Sequence, residues 1–191
     1  MNINIENITY SELKNPRFIK PIRINYTQNS VNKTWEAVKS FDSVSVLLYH
    51  KTKDALLVVK QFRPAVYMNS NQHKFTYELC AGIIDKDLSL EQIVKEEILE
   101  ECGFDVDVKN ITKITSSFTH VGVSGARQYM YFTTIDDSMK VNDGGGIGDE
   151  FINLEYIPVS KVKELIFDET KARTPGLMFA FYWFLDFRMK N

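Results

Sequence analysis

The chain has 191 residues, 44% of them hydrophobic and 25% charged, with a formal net charge of −2. That length and apolar content suit one substantial domain, or a core domain carrying a smaller appendage. No Lys/Arg cluster supplies the basic footprint that a phosphate backbone demands, so nucleic acid is not expected as a partner.

The two cysteines, Cys80 and Cys102, stand in neither CxxC nor zinc-finger spacing and are expected to behave as small buried hydrophobes. The N-terminal residues are acidic and amide-bearing where a secretory leader would be basic and then apolar. No apolar run reaches membrane-spanning length, and even FAFYWFLDF is broken by Asp186. A cytoplasmic protein without a membrane partner is the expectation.

In chain order, residues 20–35 alternate loosely around the turn formers Gln28, Asn29 and Ser30, which predicts a β-hairpin. SVSVLLYH (43–50) and ALLVVKQ (55–61), separated by a polar turn at 51–54, predict a second. Residues 75–80 read as a strand ended by Gly82. Ser89-Leu90-Glu91-Gln92 has the form of a capping box and opens a helix that runs to Cys102, with Gly103 as its left-handed stop. Strands are expected over 111–119, 128–135 and 151–157, and a mobile loop over 141–150 (VNDGGGIGDE). Helices are expected over 159–168 and 175–189, the latter opening at Pro175. One central helix among strands, with a helical C-terminus, predicts an α/β protein of the mixed α+β kind rather than an alternating βαβ chain.

Placed on a wheel at about 100° per residue, Leu90, Ile93, Val94 and Ile98 of the central helix share one arc. Glu97 and Glu101, four apart, fall inside that arc, and Glu100 lies at its edge. Unpaired carboxylates among apolar neighbours are costly, so something must neutralise them. A solvated acidic face fits this placement poorly and a divalent cation held by hard oxygen ligands is the economical answer, but the wheel alone leaves both readings open. The segment from Asp85 to Glu96 superficially spells a calcium loop, but its sixth position, which needs glycine, is Leu90.

Gly82 followed at fixed distance by Glu96-Glu97-Ile98-Leu99-Glu100-Glu101-Cys102-Gly103-Phe104 closely resembles the signature of the Nudix hydrolases. The match covers Gly82, Glu97, Ile98, Glu100, Glu101 and Gly103. Two positions depart: Leu88 stands where the family has Glu, and Glu96 where it has Arg. In the family those two are thought to pair and orient the metal-binding glutamates; Lys95 replaces the Arg only if the helix distorts. Outside the signature, NYTQN, KTWEAVKSFDSV, KQFRPAVY, ELCAG and LSLEQIVKEEILEECGF resemble the UDP-sugar diphosphatase branch. The loop ending Gly125-Ala126-Arg127-Gln128 also resembles that branch more than the ADP-ribose enzymes.

The resemblance implies an α/β/α sandwich spanning 43–191, preceded by a small antiparallel β subdomain at 1–42 that supplies homodimer contacts. It implies Mg²⁺, with Mn²⁺ as a substitute, held by Glu97 and Glu101 with help from Glu100 and the Ala81 carbonyl. The implied reaction is cleavage of a nucleotide-sugar diphosphate, preferably UDP-glucose to UMP and glucose 1-phosphate. ADP-ribose hydrolysis is the alternative within the same chemistry, and a non-catalytic nucleotide-sugar binding module the alternative outside it. Glu150 is the candidate general base, or else a solvated loop acid. Arg63 is a phosphate contact or a structural ion pair, and Trp35 a base-stacking ring or a core residue. Arg127 is expected near phosphate or sugar, Glu78 beside the metal site, and His120 in a structural role.

Overall fold

The computed structural model describes residues 3, 5–16, 19–70 and 72–190. Part of the expected 1–42 subdomain (Met1, Asn2, Asn4, Arg17 and Phe18) lies outside the described residues.

Strands β1 (Lys20–Gln28) and β2 (Val31–Lys39) pair along their whole length as a two-stranded antiparallel sheet. Asn29 and Ser30, at φ 52° and 63°, join them. Two consecutive positive φ values match the twist of a tight hairpin. The hairpin is hydrogen-bonded to the rest of the chain through the Val38 N–H, which donates to the Val123 carbonyl at 2.9 Å.

The main sheet is mixed and eight-stranded among the described residues. Its centre is β3 (Ser43–His50) and β4 (Ala55–Phe62), with β8 (Arg127–Ile135) parallel to β3 and β9 (Ile152–Pro158) antiparallel to β4. Near their connecting turn β3 and β4 pair with each other, from Leu48–Leu57 to His50–Ala55. Beyond it they fork. β5 (Phe75–Glu78) pairs with β4, and β6 (Cys80–Ile83) pairs with β3, so the chain crosses the fork at Leu79. The single strand expected over 75–80 is therefore two strands on two partners. β7 (Thr112–Phe118) extends the β8 edge, and β10 (Ala172–Arg173), too short to carry a period, closes the β5 edge.

The near-continuous apolar runs of β3 and β4 are explained by burial on both faces. Val44, Val46, Leu48, Leu57 and Val59 face helix α2 (Leu90–Glu97), where they meet Ile93, Val94 and Ile98. Leu47, Leu56 and Val58 face α3 (Val162–Phe167) and α4 (Pro175–Lys190), where they meet Val162, Leu165, Leu177 and Phe181. Each such side chain contributes about 1.5–3 kcal/mol when fully buried. The result is a mixed α+β fold layered helix–sheet–helix. A short helix, α1 (Pro64–Asn69), which no apolar period announced, begins at Pro64 directly after Arg63. Cys80 and Cys102 are free thiols buried in the α2 layer. No helix among the described residues is long and apolar enough to cross a membrane.

Candidate active site

The site is built where β6 enters the fork and α2 lies over it. Ser89 caps α2 as its spacing required: the Gln92 N–H donates to the Ser89 hydroxyl at 3.3 Å, and the Gln92 side chain accepts from the Ser89 N–H at 3.1 Å. The helix continues through Ile98–Cys102 with a widened π-helical turn and stops at Gly103, whose φ is 74°. Ile93, Val94 and Ile98 are buried, as the wheel requires, and Glu101 among them is only 5% exposed.

Glu101 reaches back to β6, where its Oε2 accepts the Ala81 N–H at 3.0 Å. Residues in an extended strand project N–H and C=O from the same edge, so the Ala81 carbonyl leaves β6 on the side of the helix. Burial pushes the Glu101 carboxyl up to about 8, opposed by hydrogen bonds from the Cys80 thiol and the Ala81 N–H. Burial also pushes Glu97 up to about 7, reinforced by the charge of Glu100 and opposed by Lys86. Gly82 explains itself against Glu97: a Cβ built there would lie 1.9 Å from Glu97 Oε1. The carboxylate occupies the space a side chain would need.

Glu150 lies close enough for its charge to act on Glu97, Glu101 and Arg63. Its Oε2 accepts the Ile147 N–H at 3.1 Å, which folds the end of the 141–150 loop on itself. The first half of that loop is tied to the helix terminus. The Gly145 N–H donates to the Glu101 carbonyl at 2.8 Å, and the Gly146 N–H to the Glu100 carbonyl at 3.1 Å. These bonds satisfy carbonyls that a helix end leaves orphaned. The three consecutive glycines all have positive φ, so they are a shaped terminator rather than an unshaped linker.

Arg63 forks onto Glu78, with Nε and one terminal nitrogen each 2.8 Å from a carboxylate oxygen. Glu78 holds Arg63 charged, and Glu101 and Glu150 add to the effect. Trp35 and Arg127 make their contacts with residues other than the glutamates. Trp35 is 51% exposed on β2, so it is not a core residue, and its indole N–H donates to the Gly122 carbonyl at 2.9 Å. Arg127 stacks over Phe118 and Tyr129, and its N–H donates to Asp42 Oδ1 at 2.8 Å. His120 is exposed with φ 47°, and its carbonyl accepts the N–H groups of Val123 and Ser124.

The departures at Leu88 and Glu96 resolve differently from the arrangement that involves Lys95. Lys95 pairs with Asp105 at 2.9 Å, whereas Glu96 pairs with Lys86 at 2.6 Å. Lys86 sits in the connection between β6 and α2, where neither periodicity nor signature marked it. The only signal in the sequence was a cation just upstream of a helix rich in glutamate.

The donor set suits a hard divalent cation. Glu97, Glu100, Glu101 and the Ala81 carbonyl offer only oxygen, and the buried carboxylates are the groups that gain most from a positive charge. Among the described residues no three Asp, Glu, His or Cys side chains gather into a ready-made metal cluster. Mg²⁺ does not require one, since it commonly takes one or two carboxylates and retains several waters.

Residues 39–175 match the NUDIX domain family model. The chain belongs to the Nudix family. As a Nudix protein it is a hydrolase acting on diphosphate bonds. It is 29% identical over 208 residues to uridine diphosphate glucose pyrophosphatase of Bos taurus, covering 94% of each chain. It is 30% identical over 173 residues to GDP-mannose pyrophosphatase of Cronobacter sakazakii, covering 87% of each. To GDP-mannose pyrophosphatase of Pectobacterium atrosepticum it is 32% identical over 127 residues, 66% of this chain and 64% of that one.

Proposed function

We propose that this Nudix hydrolase cleaves the diphosphate of a nucleotide-sugar with Mg²⁺, Mn²⁺ serving as a substitute, and that UDP-glucose is its preferred substrate. The observation that carries the metal assignment is the Gly82–Glu97–Glu101 arrangement, in which a missing side chain makes room for a half-buried carboxylate. The likeness to a UDP-glucose enzyme over 94% of both chains, hairpin included, supports the substrate. A second reading, GDP-mannose, is favoured by the bacterial relatives.

In this account Glu97 and Glu101 hold the cation, assisted by Glu100 and the Ala81 carbonyl. The bound cation neutralises phosphate charge and acidifies water. Glu150 is the general base: Oε2 is engaged by the Ile147 N–H, which leaves Oε1 to take the proton of the attacking water. Water oxygen bonds to phosphorus as the bond to the bridging oxygen breaks, giving UMP and glucose 1-phosphate. Arg63, steadied by Glu78, presents its remaining donors to phosphate. Trp35 offers its exposed face to the base, and Arg127 a cation to phosphate or sugar.

The unit at 1–42 serves as a subdomain of the hydrolase at 43–191. Its exposed Ile22, Ile24 and Tyr26 form the homodimer contact. The free thiols Cys80 and Cys102 suit a cytoplasmic location.

Phosphatase-coupled phosphate release from UDP-glucose, GDP-mannose and ADP-ribose, with Mg²⁺ and with chelator, tests the proposal. UDP-glucose is expected to give the highest kcat/KM, and chelator to abolish turnover. A higher value for GDP-mannose overturns the substrate preference, and undiminished turnover in chelator overturns the metal.

A further inference from the structure

A Cβ built on Gly146 would lie 2.6 Å from Glu150 Cβ and 2.7 Å from Glu150 Oε2. The space that a side chain would fill is taken by the Glu150 side chain, as Glu97 takes the space at Gly82. The other glycines of the loop differ. A Cβ at Gly145 would meet nothing nearer than 3.6 Å, and one at Gly148 open space. Positive φ by itself already favours glycine at 146, where φ is 89°. Gly148 also has positive φ, at 61°, so it separates the effect of backbone conformation from that of space.

The backbone that carries Gly146 is fixed on both sides. Its own N–H donates to the Glu100 carbonyl at 3.1 Å, and the Gly145 N–H to the Glu101 carbonyl at 2.8 Å. The Gly145 carbonyl accepts the Ile152 N–H at 3.1 Å, where β9 begins. Glu150 closes the turn. Its N–H donates to the Ile147 carbonyl at 3.2 Å, and its Oε2 accepts the Ile147 N–H at 3.1 Å. The carboxylate therefore rests on backbone bonded to the helix turn that bears Glu100 and Glu101. A side chain seated in this way has given up its rotamer freedom on folding and need not do so during the reaction.

We infer that Gly146 is a positioning residue for Glu150: by lacking a side chain it seats the Glu150 carboxylate in fixed register with the glutamate-bearing helix turn. This rests on the base role proposed for Glu150.

Steady-state kinetics of the full chain, on whichever of UDP-glucose, GDP-mannose and ADP-ribose turns over fastest, test this. G146A is expected to lower kcat about 100-fold, as a misplacement of about 1 Å does, with KM and the Mg²⁺ requirement unchanged. G148A is expected to keep the wild-type kcat. E150D retains the carboxylate, shortens its reach and adds no contact, so it folds whatever G146A does; it is expected to lose about as much as G146A. Because Gly146 acts through Glu150, G146A/E150Q is expected to be no slower than E150Q. A wild-type kcat in G146A or in E150D overturns the proposal. So does a loss in G148A equal to that in G146A, or a double variant slower than E150Q. E150Q separates this from the underlying reading: wild-type turnover in E150Q sinks the base role itself, whatever Gly146 does.

Discussion

A Cβ at Gly82 would fall on the far end of a flexible side chain, the Glu97 carboxylate, and not on backbone. The fold can give way there by turning Glu97 aside, but the site cannot. G82A is therefore expected to lower turnover by about 100-fold or more, as losses of electrostatic groups at reacting centres do, with a melting temperature within a few degrees of wild type. A wild-type rate in G82A contradicts the placement of Glu97. Glu97 and Glu101 also predict a pH dependence. Their folded values, about 7 and about 8, lie above the ordinary 4.5. The stability they contribute is thus complete below the unfolded value and is lost as pH rises through 7 and 8. Metal-free protein is expected to melt progressively lower across that range, and saturating Mg²⁺ to offset most of the fall. A melting temperature that is flat with pH in chelator contradicts the desolvation of the two carboxyls. Residues were legible in the sequence where a period or a signature held them, as with Ile93, Glu97 and Glu101. Lys86 and the Arg63–Glu78 fork were not legible as pairs, because each joins segments that only the folded sheet brings together.

The glycine loop and the helix terminus act as one element. At Gly144 a Cβ would meet the Glu101 carbonyl at 2.4 Å and Cys102 backbone at 2.8 Å, contacts that no rotamer relieves, and its φ is 67°. Gly148 has similar φ but open space around it. G144A is expected to cost about 3 kcal/mol or more, against about 1 kcal/mol for G148A. At about 2–4 °C per kcal/mol for a domain of this size, melting curves separate the two. Equal shifts contradict the packing of the loop on the helix end. At the other end, Ser89→Ala is expected to cost about 1 kcal/mol through loss of the cap. The cap, the glycine stop and both central strands could be read from local rules because local residues determine them. The fork at Leu79 could not, since a split strand is decided by its two partners and FTYELC carries no trace of the break. A stretch rich in glycine likewise suggests looseness until the acceptors of its N–H groups are known.

At the scale of the whole molecule, two-sided burial makes the sheet a rigid floor for the glutamates, while the hairpin remains an outlying sheet with exposed apolar side chains. Dimerisation through it is expected, and light scattering on the wild type and on an Ile24→Glu, Tyr26→Ser variant checks this. A wild-type monomer, or a dimer that survives the change, contradicts that use of the hairpin. The proposed function has carboxylates on one helix hold a cation for hydrolysis of a nucleotide-sugar diphosphate. Its most direct test is phosphorus NMR of UDP-glucose incubated with Mg²⁺ and either wild type or E101Q. Conversion to UMP and glucose 1-phosphate by the wild type, lost in a folded E101Q protein, is the predicted result. Equal conversion by both proteins would overturn the role proposed for Glu101.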